Sequence, residues 1–463
     1  MRGELGDPAP RMGAEHDLLR RKLRALFDEG LAAAQPGAAV RAALASDGRG
    51  LPGPGGRRVI IAVGLAAAAM AEAALEVLGP CEALVITDRA NLRQIAGARV
   101  MEAGYPNPDA AAVRASEAAM ATLARLGPED RVLLMLSAGA EAMLTLPAEG
   151  ISLAEKRVAL DLLRASGASR WDMMLVAQHL SAIKAGGFAR AALPARVTTL
   201  LLSDDTAAAL GEIAGGPLSA PLGGRETARA LLELRNLWNW MPATVRARLL
   251  APEPELPELP TEERLVVGSN LQAVGAIAVR GARAYGRPLI GDADEVAHEL
   301  RAAISAALPG EPMVFGGRIE LMAIPMAQDR DGDDPESWEA LPDDSDEAGG
   351  TATLTRARRR GLLAGAPLHQ LALSFALQAR DRRLPGPWAL LLATTSGGAR
   401  GSAAAGGALI DSGLVGRITS AGFDWPDCLE HQDPQDLLRR AGALFEIAPT
   451  GTSVGDLAIF LRA

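Results

Sequence analysis

The stretch Val132–Leu144, VLLMLSAGAEAML, predicts the element around which the chain is organised. An apolar run of leucine and valine passes into a corner of small residues, Ser137 to Ala140, and then into an apolar segment that Glu141 opens. This order is typical of a buried parallel strand that leads into a helix, where free backbone N–H groups point towards a ligand. The corner therefore predicts an anion site, although Glu141 places a negative charge at that position.

Apolar runs with the spacing of strands extend this pattern through the first half of the chain. Strands are predicted at residues 59–63, 83–87, 131–136 and 195–205, with alanine-rich helices between them. This alternation predicts a parallel, doubly wound sheet covered on both faces, and an amphipathic helix at residues 16–35 is expected to pack on it. Because ligands bind such sheets beyond the carboxyl ends of the strands, we expect the corners there to line one crevice.

The length and a proline-rich segment predict two domains. A chain of 463 residues exceeds what one ordinary hydrophobic core accommodates. The segment APEPELPELPTEE (251–263) has the composition of a semi-rigid connector. It predicts an N-terminal Rossmann-like α/β domain at residues 1–255, a C-terminal α/β domain at 263–463 and a cleft between them. The acidic stretch 329–347 is predicted to be a solvated loop in the second domain.

Composition excludes several classes of function. The net charge of −9 and the isoelectric point near 5.3 argue against a nucleic-acid binder, which needs a basic face. The two cysteines, Cys81 and Cys428, lack the spacing of a disulfide framework or a zinc site. No apolar run approaches the roughly 20 residues that span a bilayer, and the N-terminus does not have the pattern of a signal peptide. A cytoplasmic protein without nucleic-acid or membrane partners is expected.

Nine separate blocks of sequence carry a family resemblance. The blocks are EAGYPNPD (102–109), LPAEGISLAEKR (146–157), LLRASGAS (162–169), HLSAIKAGG (179–187), LLLSD (200–204), GGP (215–217), FGG (315–317), LALSFAL (371–377) and APTGTSVGDL (448–457). In order and spacing they resemble the MOFRL-type glycerate 2-kinases, which include proteins described as glycerate kinase or hydroxypyruvate reductase. The resemblance implies a Rossmann-like domain, a MOFRL α/β domain and a cleft in which ATP and Mg²⁺ phosphorylate the 2-hydroxyl of D-glycerate.

The first domain departs from the family pattern where charge matters most. The position of the family's lysine in the turn after the first strand is Leu65. The glycines of the family's second corner are replaced by Ala138 and Ala140, and its last hydroxyl residue by Glu141. Phosphoryl transfer depends on cations that neutralise the transferring group, and a carboxylate repels it. These replacements therefore predict a weakened phosphate site.

The second domain departs from the pattern in the same way. Arg318 stands where the family has a glutamate, and Pro367 stands where it has a catalytic arginine. Ser396 and Arg400 occupy the positions of two acidic residues in a glycine-rich loop. Substitutions at fold-bearing turns are few, whereas charged cleft groups are replaced. This distribution predicts a degenerate phosphoryl-transfer site.

Candidate ligand-binding residues remain at the predicted crevice, although none is assigned a catalytic role. They are Ser137, Gly139, His179, Ser181, Lys184, Asp204, Arg318 and Arg400. Asp204 is the metal candidate because carboxylate oxygens suit Mg²⁺, and its alternative is a capping role. His179 is interpreted as a hydrogen-bonded core histidine in preference to a general base. Lys184 is either a phosphate ligand or a solvated cation, and Arg318 and Arg400 either pair with Glu141 across the cleft or face solvent.

Three functional hypotheses follow from these residues. The first is a catalytically inactive homologue that acts as a binding or regulatory partner, with a small sugar-acid ligand, an active paralogue or a second copy as its partner. The second is an active glycerate or related sugar-acid kinase with a rebuilt site. The third is a structural oligomer subunit in which the first helix and the segment Trp238-Asn239-Trp240 supply apolar contact surface. ATP and Mg²⁺ are implied by the resemblance alone.

Overall fold

The computed structural model describes most of the chain. The described residues are 13–45, 51–204, 215–260, 263–320, 366–382, 384–398, 405–422 and 434–463. The predicted acidic loop at 329–347, Arg400 and Cys428 lie outside them. Within these residues, no helix is long and apolar enough to cross a membrane.

The first sheet is parallel throughout and consists of six strands within the described residues. The strands are β1 (Arg58–Val63), β2 (Glu82–Thr87), β3 (Arg99–Glu102), β4 (Arg131–Leu136), β5 (Arg196–Ser203) and β6 (Glu263–Ser269). Their order, β3-β2-β1-β4-β5-β6, is that of doubly wound nucleotide-binding sheets, in which the winding direction reverses between β1 and β4. The prediction of a Rossmann-like parallel sheet is confirmed.

Helices cover both faces of this sheet, and a further group of helices forms a lobe beside it. The helices are α1 (Ala14–Ala33), α2 (Pro36–Ala45), α3 (Ala67–Leu78), α4 (Ala110–Leu123), α5 (Ala140–Met143), α6 (Leu153–Ala165), α7 (Arg170–His179), α8 (Gly187–Ala192), α9 (Arg225–Leu234) and α10 (Ala243–Leu250). Along β1, Ile60 and Ala62 join the core under α2 and α3, whereas Ile61 and Val63 join the core under α4 and α8. Side chains of a strand alternate between the faces, so both faces are apolar. Helices α6, α7, α9 and α10 share a separate core.

The second sheet is mixed, and seven strands within the described residues contribute to it. Its strands are β7 (Arg283–Ala284), β8 (Leu289–Asp292), β9 (Met313–Glu320), β10 (Trp388–Thr394), β11 (Ala405–Asp411), β12 (Leu444–Glu446) and β13 (Asp456–Arg462). Its helices are α11 (Asn270–Val279), α12 (Ala293–Ile304), α13 (Ala366–Asp381), α14 (Leu414–Ser420) and α15 (Pro434–Arg440). Strands β7 and β8 run parallel to β9, and the other pairs are antiparallel. The predicted two-domain α/β class is confirmed.

Helix α1 belongs by its contacts to the second sheet. It packs on α11 and on strands β10 and β13, so the expectation that it packs on the sheet following it in sequence is wrong. Arg20 of α1 donates to Asp411, whose side chain is fully buried and also accepts from Arg417. A buried carboxylate needs such cations, because an unpaired buried charge is strongly destabilising. This long-range contact explains why local sequence did not predict the position of α1.

The two sheets meet at the carboxyl ends of β5 and β6. Asn270, directly after β6, donates through Nδ2 to the carbonyl oxygens of Val454 and Asp456, at 2.9 and 3.0 Å. A Cβ atom on Gly455 would lie only 2.9 Å from the carbonyl oxygen of Asp204. Backbone of the second sheet thus closes directly onto the strand ends of the first. The predicted boundary between residues 255 and 263 remains a prediction, and β6, which follows it, pairs with β5.

The tightest approach in the first sheet is at Gly64, where β1 ends. Its φ of +122° lies in the region that favours glycine, and an added Cβ would overlap the Ser137 hydroxyl and lie 2.6 Å from the Ser137 carbonyl oxygen. Gly55 also has a positive φ, +74°, but an added Cβ there meets nothing within 4 Å. An alanine at Gly55 would therefore cause backbone strain without a steric clash, which makes Gly55 the matched control for an alanine at Gly64.

Replacing Gly64 by alanine should lower the free energy of unfolding by about 2–5 kcal/mol, because it combines backbone strain with overpacking. The Gly55→Ala variant should lose only about 1 kcal/mol, because it has the strain alone. Urea denaturation of both variants measures the difference. Equal losses in the two variants would contradict the close approach of the two strand ends.

Candidate ligand-binding cleft

The corner after β4 is held in place by backbone geometry and by one hydroxyl. Gly139 adopts φ +83°, and an added Cβ would lie 3.0 Å from Met143 Cε and 3.1 Å from the Tyr105 ring. The Ser137 hydroxyl is buried and accepts from the backbone N–H of Ala66 at 3.0 Å. The structure therefore uses Ser137 and Gly139 to shape the corner. The side chain of Ser137 is directed at the turn after β1.

Leu65 places an apolar side chain next to this corner. Its backbone N–H donates to the carbonyl oxygen of Ala138 at 2.9 Å, and its side chain is 8% exposed. It packs in the same apolar cluster as Leu136 and Ala138. A cationic side chain is therefore replaced by a packed apolar one at the point where the family resemblance puts a lysine.

Glu141 is paired with Lys184. Lys184 Nζ lies 2.7 Å from Glu141 Oε1, and the lysine side chain is 4% exposed whereas that of the glutamate is 52% exposed. The adjacent charge of Lys184 holds the pKa of the Glu141 carboxyl at about 2. The Ser181 hydroxyl accepts from the backbone N–H groups of Ile183 and Lys184 and so fixes the loop that carries the lysine. The amine lies behind the carboxylate, and the carboxylate faces the cleft.

This arrangement corrects two sequence-based expectations. Lys184 is buried, so its interpretation as a solvated helix-end cation is wrong. The ion-pair partner of Glu141 is Lys184, whereas Arg318 forms its ion pair with Asp204, so the expected Glu141–Arg318 pair is also wrong. The reason is distance along the chain, since Glu141 and Lys184 are 43 residues apart and only the tertiary fold brings them together. The second expected partner, Arg400, lies outside the described residues.

Lys156 is a charged group that sequence reasoning missed. It lies in the first turns of α6, is 4% exposed and has no hydrogen-bond partner for Nζ among the described residues. Burial, together with the charge of Lys184, lowers its pKa to about 7. A signal was present in the sequence, because the chain contains only three lysines, Lys22, Lys156 and Lys184. Two of these three lie near Glu141, close enough for their charges to act on its carboxyl or on each other.

The opposite wall of the cleft carries a second ion pair. Arg318 Nη1 lies 3.4 Å from Asp204 Oδ2. Asp456 accepts from the backbone N–H of Ile319 at 3.0 Å, and burial raises the pKa of its carboxyl to about 6. Burial also raises the pKa of the Tyr105 hydroxyl, and the charge of Asp204 adds to this shift. Tyr105, Asp204, Arg318 and Asp456 therefore lie within each other's electrostatic field.

The described residues give little support for a metal site on this wall. Asp204 already has an arginine partner, which competes with a cation for its oxygens. No group of three or more His, Cys, Asp or Glu side chains among the described residues could hold a metal ion. Metal binding by Asp204 remains a prediction.

His179 lies outside the ion pairs of the cleft. Its Nε2 donates to the carbonyl oxygen of Gly223 at 3.1 Å, and the Gln178 amide donates to the same oxygen. Burial lowers the pKa of the imidazole. These bonds agree with the interpretation of His179 as a hydrogen-bonded histidine, but the residue is half-buried and does not lie in the core.

Comparisons with known proteins agree with the fold and with the family resemblance. A family model described as a domain of unknown function, DUF4147, matches residues 22–250, and the MOFRL family model matches residues 347–456. The D-glycerate 2-kinase of Thermotoga maritima is 30% identical over 410 residues, which are 88% of this chain and 90% of that protein. The chain belongs to the glycerate kinase/MOFRL family. The resemblance stated from the sequence is confirmed.

Two further relatives of this MOFRL-family protein support the assignment. The glycerate 2-kinase of Pyrococcus horikoshii is 27% identical over 87% of each chain. The crystal structure of glycerate kinase from Thermotoga maritima superposes with a TM-score of 0.71 at 25% identity, over 96% of this chain and 100% of that chain. This match agrees with the two-sheet architecture of the described residues.

The buried, unpartnered amine of Lys156 makes stability depend on pH. The folded chain releases this proton near pH 7, whereas the unfolded chain holds it up to about 10.5. Because the unfolded state binds more protons between these values, the contribution of Lys156 to stability rises with pH across this window. Below pH 7 both states are protonated and the full desolvation penalty is present.

The Lys156→Met variant should therefore be more stable than the wild type at about pH 6, by about 1–3 kcal/mol, and this advantage should shrink towards pH 10. Urea denaturation at several pH values measures the difference. Lys22, which is exposed on α1, gives the matched control, and Lys22→Met should show no such trend. A pH-independent difference for Lys156→Met would show that the amine is solvated.

Proposed function

We propose that this protein is a catalytically inactive member of the glycerate kinase/MOFRL family that acts as a binding or regulatory partner. The observation that carries the proposal is the Glu141–Lys184 ion pair at the corner of the cleft. The amine of Lys184 is bonded to the Glu141 carboxylate, and this half-exposed carboxylate is the charged group that a ligand in the cleft would meet. Glu141 occupies the hydrogen-bonding position on Lys184 that a phosphate or a carboxylate would need, and its own negative charge repels a second anion placed directly beside it.

The rest of the cleft supports the same proposal. Leu65 provides packing where phosphoryl transfer requires positive charge. On the second domain, Pro367 is the second residue of α13, where proline fits because the first helical N–H groups have no partner within the helix. Ser396, after β10, contacts the Thr394 hydroxyl at 3.0 Å and brings no charge. The described residues at these three positions supply neither an acid nor a cation.

The fit of ATP and Mg²⁺ to this site is poor. The methyl groups of Ala138 and Ala140 lie in the corner where an anion would need close backbone approach, and Glu141 adds a negative charge. Asp204, the metal candidate, is bonded to Arg318.

The proposed partners follow from the same geometry. A small ligand is proposed for the cleft, and a sugar acid fits best with its carboxylate beside Arg318, away from Glu141. An active paralogue or a second copy of the chain is proposed as the protein partner. Light scattering of the purified protein, alone and mixed with an active relative, distinguishes the two. The proposed location is the cytoplasm.

An active sugar-acid kinase with a rebuilt site is the second candidate. The buried amines of Lys156 and Lys184 favour it, because they bring two cations to the corner that lacks the family's lysine. Asp456, with a carboxyl pKa of about 6, adds a group that exchanges protons near neutral pH. This candidate requires Glu141 to move away from Lys184 when substrate binds.

Phosphorylation of D-glycerate by the purified protein tests the proposal. With ATP and Mg²⁺, turnover should be absent under conditions in which the Thermotoga maritima D-glycerate 2-kinase is active, because the cleft presents Glu141 instead of a cation. Formation of 2-phosphoglycerate in a coupled assay is the measurement. A turnover of about 1–100 per second, the ordinary range for kinases, would refute the proposal and favour the second candidate.

A further inference from the structure

We infer that Glu141 is a built-in substitute for a ligand anion in a two-lysine pocket, and that it determines which ligand charge the cleft accepts. The pocket is defined by the buried amine of Lys184, which lies against Gly215 so that a Cβ atom there would overlap Nζ, and by the buried amine of Lys156, which is close enough for the charges of Lys184 and Glu141 to act on it. This deepens the proposed function and rests on it, since it gives the physical reason why a phosphate is refused at the corner beside Lys184.

The geometry of the ion pair is that of an anion held in a site. Glu141 Oε1 accepts from Lys184 Nζ at 2.7 Å, a length typical of a charge-assisted hydrogen bond. The lysine side chain is nearly fully buried, whereas the glutamate side chain is half exposed. The carboxylate therefore covers the amine from the solvent side. A ligand that approaches from the cleft meets the carboxylate before it can reach the amine.

The second observation is that the amine of Lys156 has no hydrogen-bond partner among the described residues, so the single carboxylate of Glu141 does not provide an acceptor for both lysines. The amine of Lys156 is also buried. Two lysines thus share one carboxylate, which leaves one positive charge in excess whenever Lys156 is protonated. A phosphate has more oxygens and more negative charge than a carboxylate, so it can accept from both amines if the position of Glu141 is vacated.

The Arg225–Glu253 ion pair in the helical lobe has a similar exposure to the Glu141–Lys184 pair but differs from it in one respect. Arg225 and Glu253 have side-chain exposures of 8% and 52%, close to the 4% and 52% of Lys184 and Glu141. Arg225, however, also donates to the carbonyl oxygens of Ala251 and Pro252. It keeps acceptors when Glu253 is removed, whereas among the described residues the amine of Lys184 has no acceptor other than Glu141. Removal of Glu141 should therefore create an anion site, and removal of Glu253 should not.

Phosphate binding to a Glu141→Ser variant tests the inference. In phosphate-free buffer this variant should melt below the wild type, because two buried amines lose their counter-charge. Inorganic phosphate should raise its melting temperature and bind at least about tenfold more tightly than to the wild type. Titration calorimetry and thermal melts at constant ionic strength measure both effects. D-glycerate, as a second probe, shows whether the vacated position also takes a carboxylate.

Matched variants assign the effect to the pocket. Glu253→Ser should gain no phosphate affinity. The gain of Glu141→Ser should disappear in the double variants Glu141→Ser/Lys184→Met and Glu141→Ser/Lys156→Met, because each lacks one of the two amines. Glu141→Gln, which removes the charge and keeps the volume, should show a smaller gain and carries the test if Glu141→Ser does not fold.

Two results would overturn the inference. One is a folded Glu141→Ser or Glu141→Gln variant with the phosphate affinity of the wild type. The other is a gain that persists without Lys184, which would place the anion elsewhere. Both are separate from the glycerate kinase assay of the wild-type protein, so an active wild type would refute the proposed function, whereas an absent phosphate gain would refute the role of Glu141.

Discussion

The contact between the turn after β1 and the corner after β4 is the constraint on which the cleft depends. Gly64 and Ser137 approach so closely that one added methyl group would overlap a hydroxyl and a carbonyl oxygen. These two strands are neighbours at the point where the winding of the sheet reverses, which is where such sheets form a crevice. Beside this contact the backbone N–H of Leu65 bonds the carbonyl oxygen of Ala138, and three residues beyond Ala138 the Glu141 carboxylate pairs with Lys184. The two residues that set the charge of the cleft therefore lie next to this backbone approach.

Ion pairs within the chain, rather than free charges, characterise this cleft. Glu141 neutralises Lys184, and Arg318 bonds Asp204 on the opposite wall. An enzyme that transfers a phosphoryl group keeps its cations available to the transferring oxygens. Of the described cleft cations Lys156, Lys184 and Arg318, only Lys156 lacks an acceptor among the described residues. Burial makes Lys156 easier to deprotonate, and this reduces the field that the excess amine exerts near neutral pH.

The local sequence pattern predicted many of the strands and helices, but few of the contacts between the residues of the site. Strands β1, β2, β4 and β5 have continuous apolar runs, and their parallel pairing follows from the helices between them. The antiparallel pairing of β13 with β9 and β10 joins segments that are far apart in sequence, so no local pattern carries it. The same holds for α1 on the second sheet and for Lys184 beside Glu141. The loss of a cation at Leu65 was predicted because the residue type alone shows it. The partner of a charged residue, such as Lys184 for Glu141, is set by the tertiary fold and cannot be read from the local sequence.

The fold and the chemistry of this protein rest on different groups, which explains how one can persist without the other. The junction of the two sheets combines an apolar core, to which strands of both sheets contribute, with backbone contacts and Asn270, whose amide bonds the carbonyl oxygens of Val454 and Asp456. Gly64 and Gly455 are required at close approaches of backbone, where a side chain does not fit. The side chains of Leu65, which packs in an apolar cluster, and of Glu141, which is half exposed, take no part in these backbone contacts. Their charge can change without loss of the sheet packing, so the architecture of a kinase family does not by itself imply its reaction.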